Sequence, residues 1–167
     1  MTTTLLQLDN CVFPEVTVEA NPFYVPQEER KLDISPEIAS HVLFREPNRL
    51  FANVSIDLED PEDVRPYVLN LRAFGVFTLP ENIFECDQEL MERKVAHYSS
   101  NAATLVYGAA REFVASITAR APHGVFFLPT RDESDLNIHV ALPEEMRAPV
   151  KRIKKKSAKR ELTKKAP

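Results

Sequence analysis

The sequence has 167 residues, a length that ordinarily forms one domain, and 44% of its residues are hydrophobic, a usual fraction for a globular protein. No apolar run reaches the roughly 18 residues of a membrane-spanning helix, and MTTTLLQLDN has no basic region like that of a signal peptide. The two cysteines, Cys11 and Cys86, are far apart and form no Cys-x-x-Cys motif. We therefore expect a cytoplasmic protein with reduced thiols.

Charge is distributed unevenly along the chain. Residues 1–150 contain 12 Lys and Arg against 24 Asp and Glu, a net charge of −12, whereas residues 151–167 contain nine basic residues and one acid, a net charge of +8. We therefore predict an acidic domain over 1–148 and a basic, disordered tail over 149–167. Such a tail suits an acidic protein, nucleic acid or an acidic membrane surface. A solubilising role, or association with the acidic domain, remains open.

The first predicted strand lies within residues 4–19 and has one apolar and one polar face. Val16 and Val18 point to one side, and Glu15 and Glu19 point to the other. This alternation is typical of a strand with one solvated face.

The segment that follows contains several prolines, so residues 20–30 predict an irregular crossover, and KLDI at 31–34 predicts a short extended piece. SPEIASHVLFREPN, from 35 to 48, is compatible with a helical turn or with a twisted strand.

Two clear strands are predicted next, over 48–60 and 65–80. Their alternating apolar residues share one face: Leu50, Ala52, Val54, Ile56, Leu58, Tyr67, Leu69, Leu71, Ala73 and Phe77. Gly75, inside the second of them, indicates a bulge or a close approach of another backbone.

The second half of the chain is mainly helical by pattern. The second half of 81–100 is helical, and the main helix is predicted over 101–119, with Asn101 as N-cap and Pro122 as the stop. GVFFLP after it predicts a short strand or an extended segment, and NIHVAL further on can pair at a sheet edge. Strands followed by helices, without β-α alternation, predict an α+β fold.

No motif for phosphate, dinucleotide or metalloprotease chemistry occurs, and no nucleophile elbow. The four histidines, His41, His97, His123 and His139, have no metal-ligand spacing. We interpret them as surface or hydrogen-bonded residues. We therefore predict no catalytic residue, no metal ion and no cofactor, with a small enzyme that has an unrecognised site as an alternative.

Four phrases resemble SecB, the tetrameric export chaperone family of bacteria. LVYGAAREFVASITARAPHGVFFLP is similar to the family's main helix and its end, and VTVEANP is similar to its first strand entering the crossover. KLDI resembles the family's KLDL segment, and GVF at 75–77 resembles a glycine-apolar-Phe step near the end of the third strand. The phrases occur in the family's order and span about residues 5–130.

The resemblance implies a four-stranded antiparallel sheet with a long helix packed on one face, assembled as a dimer of dimers. It also implies an ATP-independent holdase that binds unfolded, export-bound precursors and passes them to the motor SecA. Some SecB-like proteins instead hold the antitoxin of a toxin–antitoxin pair, which is one alternative. A nucleic-acid-associated protein that acts through the basic tail is another.

The resemblance also implies roles for particular residues. The client groove is predicted to contain Phe23, Tyr24, Leu32, Ile34, Tyr67 and Leu71. Plain core packing is the alternative for each of them. Glu15 and Glu19 fall on the SecA-binding acidic patch, but a further acidic position on the third strand is Asn70 here, beside Val68. This departure weakens the expectation of SecA docking.

The main helix has more apolar surface than one short chain can cover. We predict that Leu105, Val106, Phe113 and Ile117 pack on the chain's own sheet. Small residues are predicted to let copies of the helix approach closely in an oligomer: Gly108, Ala109, Ala110 and Ala115.

Overall fold

The structure is a computed structural model that describes residues 6–26, 35–59 and 65–143. Within these residues, five strands form one sheet and one long helix packs across it. The strands are β1 (Gln7–Ala20), β2 (Glu37–Glu46), β3 (Arg49–Leu58), β4 (Tyr67–Thr78) and β5 (Ile138–Ala141), and the helix is α1 (Gln88–Thr118). The KLDI segment and the basic tail lie outside the described residues.

The strand order is β1-β4-β3-β2-β5, and every neighbouring pair is antiparallel except β2 and β5, which are parallel. The predicted α+β class is therefore confirmed. The predicted four antiparallel strands are present, and the short β5 adds a fifth at the edge.

One face of the sheet, which we call the inner face, carries the core. The alternating apolar residues predicted for β3 and β4 all lie on this face. Their side chains are buried, whereas the residues between them are half-buried or exposed. Val16 lies opposite Leu71 on this face, whereas Glu15 lies opposite Arg72 on the other, which we call the outer face. The predicted assignment of faces in β1 is therefore correct.

The segment that the sequence left undecided is strand β2. Ile38, Val42 and Phe44 alternate into the inner face, so tertiary burial selects the strand over a helical turn. Strand β5 runs beside it with His139 in register with His41, in agreement with the edge pairing proposed for NIHVAL.

Helix α1 begins 13 residues before its predicted start, so Asn101 is not its N-cap. Asp87 is the N-cap, and its Oδ1 accepts a hydrogen bond of 2.9 Å from the Leu90 backbone N–H. Asn101 instead lies inside the helix, where its amide contacts the His97 ring nitrogen at 3.1 Å. The 31 residues span about 46 Å. Neither α1 nor any other helix in the described ranges is long and apolar enough to cross a membrane.

The helix packs very close to the sheet at Gly75. A Cβ at that position would lie 2.5 Å from Val106 Cγ2, so only glycine fits without a shift of the neighbouring side chains. Of the two readings of Gly75, close approach is therefore the one that the packing requires.

After the helix the chain folds back in an extended segment that pairs with α1 side chains rather than with the sheet. Thr118 Oγ1 accepts from the Phe126 backbone at 2.9 Å, Arg111 Nε donates to Leu128 O at 2.9 Å, and Tyr107 Oη donates to Pro129 O at 2.8 Å. The segment is therefore extended without being a strand.

Candidate functional site

The crossover begins at a buried asparagine with a full set of hydrogen bonds. The backbone N–H of Asn21 donates to Pro66 O at 2.9 Å, and its side-chain Nδ2 donates to Arg65 O at 3.0 Å. Its Oδ1 accepts from the Phe23 N–H at 2.8 Å, and its carbonyl accepts from His123 Nε2 at 2.7 Å. Asn21 therefore joins the end of β1, the start of β4 and the segment after α1.

The hydroxyl group of Tyr67, at the start of β4, adds two hydrogen bonds to this junction. It donates to Gly124 O at 2.9 Å and accepts from the His123 N–H at 3.2 Å. The rings of Tyr67 and Tyr24 both contact the His123 imidazole edge-on, with centroids 5.6 and 5.1 Å away. The crossover start and the segment after the helix are thereby held together in one arrangement.

Four large apolar side chains project into solvent from the two segments joined there. Phe23 is 76% exposed and Phe127 is 63% exposed, and Val25 and Val125 are also exposed. We call Phe23, Val25, Val125 and Phe127 the junction patch. These exposed side chains lie on two segments that the hydrogen bonds of Asn21 and Tyr67 join, so they offer a candidate binding surface.

The predicted client-groove residues are separated by the structure. Phe23 belongs to the junction patch, and the half-buried Tyr24 supports it. Tyr67 and Leu71 are instead buried in the core, as the alternative of core packing expects, and their role in a client groove stays a prediction. Leu32 and Ile34 lie outside the described residues.

Sequence reasoning missed Val125 and Phe127. The signal was present in GVFFLP, where Phe126 and Leu128 are buried and the residues alternating with them are exposed. In a run of consecutive apolar residues, the sequence does not show which side chains are buried. Here the position of α1 determines which of them are covered.

The predicted acidic patch lies on the outer face. Glu19 is exposed and lies opposite Val68, whereas Glu15 Oε2 forms a salt bridge of 3.1 Å with Arg72 Nε. Both members of this ion pair are about half exposed, so solvent screens it. One of the two predicted carboxylates therefore already has a cation beside it.

The carboxylate that Asn70 replaces is supplied by the neighbouring strand. Asn70 lies opposite Asp57, and its Nδ2 donates to Asp57 Oδ2 at 3.3 Å. The sequence alone could not reveal this, because the register between β3 and β4 decides which residues are neighbours.

Two further acids extend this region. A hollow of about 450 Å³ on the outer face is lined by Glu37 and Asp57 together with Asn70 and Arg72. A second hollow beside it brings Glu59 next to Glu37. We call the carboxylates at this end of the outer face the acidic end: Glu15, Glu19, Glu37, Asp57 and Glu59.

The other end of the outer face carries apolar side chains, interspersed with the polar Asn53 and His41. Leu43 lies opposite Phe51, which in turn lies opposite Val76, and Val12 lies opposite Phe74. The rings of Phe51 and Phe74 are stacked with centroids 5.9 Å apart. We call Val12, Leu43, Phe51, Phe74 and Val76 the apolar band.

The residues of the predicted oligomer surface differ in exposure, and their role in an oligomer stays a prediction. Ala110 and Ala115 are buried within the chain itself. Gly108 and Ala109 are half-buried and remain accessible.

The predicted packing of the helix on its own sheet is only partly correct. Val106 is buried, and Phe113 stacks on Phe13 of β1 with ring centroids 4.1 Å apart. Leu105 and Ile117, which were expected on the sheet, are 44% and 37% exposed. Residues four apart share a helix face, so both lie on the face that carries Phe113.

An exposed apolar surface therefore runs along the β1 side of the inner face. Leu8 and Val16 of β1 are partly exposed there, beside the helix face just described. We call Leu8, Val16, Leu105 and Ile117 the inner-edge strip. Strand β1 is also an edge strand, paired only with β4 among the described strands.

The histidines do not form a metal centre in the described part of the chain, where no group of three or more His, Cys, Asp or Glu side chains converges. His41 and His139 are stacked across β2 and β5 with ring centroids 5.3 Å apart, and His123 serves the junction.

A twisted sheet with one long helix on one face is the SecB-like fold, and a comparison of structures confirms it. The chain resembles the SecB-like chaperone Rv1957 of Mycobacterium tuberculosis, solved in complex with a ChAD peptide from the Rv1956 HigA1 antitoxin. The TM-score is 0.53 at 14% identity, over 75% of this chain and 90% of that chain. Likeness at this identity shows the fold and no more.

A protein of unknown function from Streptococcus agalactiae also matches, with a TM-score of 0.38 at 10% identity, over 75% of this chain and 98% of that chain. No family model matches the sequence, and no curated protein matches it.

Proposed function

We propose that this protein is an ATP-independent holdase chaperone that binds unfolded polypeptides in the cytoplasm. The observation that carries the proposal is the junction patch. It presents large apolar side chains on segments fixed by the buried hydrogen bonds of Asn21 and Tyr67. Such a surface can bind apolar stretches of a non-native chain while the protein keeps its own fold.

The mechanism requires no chemical step. Exposed Phe23 and Phe127 offer rigid aromatic surface, which loses little side-chain entropy on binding. The net charge of −12 on residues 1–150 attracts basic unfolded segments at long range and keeps the complex soluble. Binding and release are then equilibrium events, so the client leaves when it folds or when a partner captures it.

Two sources of client fit this mechanism. We propose export-bound precursors delivered to SecA, with the acidic end as the surface that SecA contacts through Glu15 and Glu19. Asp57 supports this proposal by supplying a carboxylate beside Asn70. The alternative is an antitoxin, as in the structurally similar mycobacterial chaperone, and the Glu15–Arg72 ion pair favours it because it neutralises part of the SecA-like patch.

We further propose that the protein is a homotetramer, a dimer of dimers. The exposed inner-edge strip and the open edge of β1 support assembly, because a second copy would cover both. Accessible Gly108 and Ala109 allow close approach of helices at that surface.

The proposed client surface is tested by the double variant Phe23→Ser, Phe127→Ser in the full chain. We expect it to lose most of the suppression of aggregation of a chemically unfolded client, measured by light scattering. Leu43→Ser is the matched control, since Leu43 is also a partly exposed apolar residue but lies on the outer face. If the double variant protects the client as well as wild type does, the junction patch is not the client site.

The two client sources are separated by binding measurements. Titration calorimetry with SecA and with an antitoxin segment, using wild type and Glu15→Gln, Glu19→Gln, distinguishes them. Loss of SecA binding in the variant supports the export role. Antitoxin binding without any SecA binding supports the alternative.

A further inference from the structure

The proposed client and oligomer sites leave the outer face of the sheet unused. Its apolar band lies along β1, β4, β3 and β2 at one end of the face, and its acidic end lies at the other. Among the described residues, Arg72 and Arg65 are the cations that the structure places beside the five carboxylates of the acidic end. A ligand for this face therefore needs apolar side chains followed by several positive charges.

The chain's own course leads to this face. Strand β5 lies beside β2 with Ala141 in register with Leu43, so the chain leaves the sheet next to the apolar band. Residues 144–150 come next, and the basic run begins at Lys151. From Leu43 to Glu37 is six residues along β2, or about 20 Å.

The distance across the sheet is equally short. The chain leaves the sheet from β5, and from β5 to β1 is four strand spacings, which is about 19 Å. Nine residues, 142–150, span at most about 30 Å when extended. The basic run can therefore turn back and reach both Glu37 and Glu15 without strain.

The composition of the run matches the surface. Val150 and Ile153 provide apolar side chains, and Lys151, Arg152 and the three lysines at 154–156 provide positive charge at the same place. The order is also appropriate, because the apolar band lies between the chain exit and the acidic end.

We propose that residues 150–160 occupy the outer face of their own chain, with Val150 and Ile153 on the apolar band and the basic residues on the acidic end. Tethering gives the run an effective concentration of the order of millimolar, so even a weak contact is largely formed. Any partner that binds the acidic end must displace this segment. The contact is intramolecular and does not depend on whether the protein holds unfolded clients.

The distribution of lysine makes this contact directly measurable. Apart from Lys31 and Lys94, every lysine of the chain lies within residues 151–165. A zero-length carbodiimide cross-linker joins a lysine amine to a carboxylate only when the two are in contact. Besides the pair Lys94 and Glu81, which is already in contact, we expect the main cross-links of the full chain to join lysines at 151–159 to Glu15, Glu19, Glu37 or Asp57.

A mixture of ¹⁴N- and ¹⁵N-labelled protein identifies the occupant. If both peptides of a cross-linked pair carry the same nitrogen isotope, the result supports docking within one chain. Pairs that combine a ¹⁴N peptide with a ¹⁵N peptide would show that a second copy occupies the face and would overturn the proposal. The cross-links should fall several-fold in 1 M salt, since the Debye length there is about 3 Å.

Charge-removal variants provide the matched controls. Glu15→Gln, Glu19→Gln should lower the yield of the remaining cross-links to Glu37 and Asp57 several-fold, because the attraction of the acidic end is weaker. Glu89→Gln, Glu92→Gln removes two exposed carboxylates from the start of α1 and should leave those cross-links unchanged. Equal effects of the two variants, or cross-links spread evenly over all carboxylates, would show that the basic run has no docking site.

Discussion

At the scale of single residues, Gly75 sets the distance between helix and sheet. An added Cβ would meet Val106 Cγ2 at 2.5 Å and Phe77 Cε2 at 2.8 Å, in a region where both neighbours are buried. We expect Gly75→Ala to lower the free energy of unfolding by about 1–3 kcal/mol, because the core must be overpacked. Urea unfolding monitored by circular dichroism measures the change.

Gly108 supplies the control for that experiment. It lies inside α1, and no atom lies within 4 Å of the position that its Cβ would take. Gly108→Ala is expected to raise the free energy of unfolding by about 0.5–1 kcal/mol, because alanine loses less backbone entropy in a helix. If both substitutions have the same sign, close packing does not explain Gly75.

The side chain of Asn21 contributes to stability through hydrogen bonds to backbone polar groups. Asn21→Ala would leave the Arg65 carbonyl and the Phe23 N–H without their side-chain partner. We expect a loss of about 1–3 kcal/mol in unfolding free energy and faster proteolysis near Phe23. Limited proteolysis followed by mass spectrometry measures the second effect, and an unchanged cleavage pattern would show that Asn21 does not hold the crossover.

At the scale of elements, the connection from β4 to α1 depends on a surface ion pair. Glu81 Oε2 accepts from Lys94 Nζ at 2.7 Å, and its Oε1 accepts from Tyr98 Oη at 3.1 Å. The hydrogen bond from Lys94 is the main reason that the pKa of the Glu81 carboxyl lies below its usual value of 4.5. This contact holds the connection against the first turns of the helix.

The lowered pKa gives a pH dependence with a definite sign. A carboxyl whose pKa is lower in the folded protein stabilises it above the usual pKa, and this stabilisation is lost as pH falls through the folded pKa. Glu81→Gln should therefore be less stable than wild type at pH 7, and the difference should shrink as the pH falls below 4.5. Urea midpoints at pH 7, 5 and 3 test this, and a difference independent of pH would contradict it.

The elements also show what sequence alone can establish. The faces of β1, β3 and β4 followed from alternation, because burial on one side of a sheet imposes period two. The start of α1 did not, because an Asn inside a helix looks like a cap, and Asp87 acts as one only where the preceding loop allows it. The part of Asp57 in the acidic end also escaped prediction, since Asp57 and Asn70 become neighbours only through strand register.

For the molecule as a whole, the central question is what covers the inner-edge strip. The apolar face of α1 is too wide for its own sheet, as the exposure of Leu105 and Ile117 shows. Core packing within one chain accounts for Ala110 and Val114 but not for these two residues. Assembly of copies through this side accounts for both, and it leaves the junction patch on a separate surface.

Leu105→Glu, Ile117→Glu tests this assembly. Burying two carboxylates at a contact between copies costs several kcal/mol, so we expect the variant to form smaller species than the tetramer that we propose for wild type. Leu90→Glu is the matched control, because Leu90 is equally exposed on α1 but lies in its first turn. Native mass spectrometry and light scattering give the stoichiometry. A monomeric wild type, or an equal effect of Leu90→Glu, would show that the inner-edge strip is not an interface, while the folded sheet and the junction patch would remain available for a client.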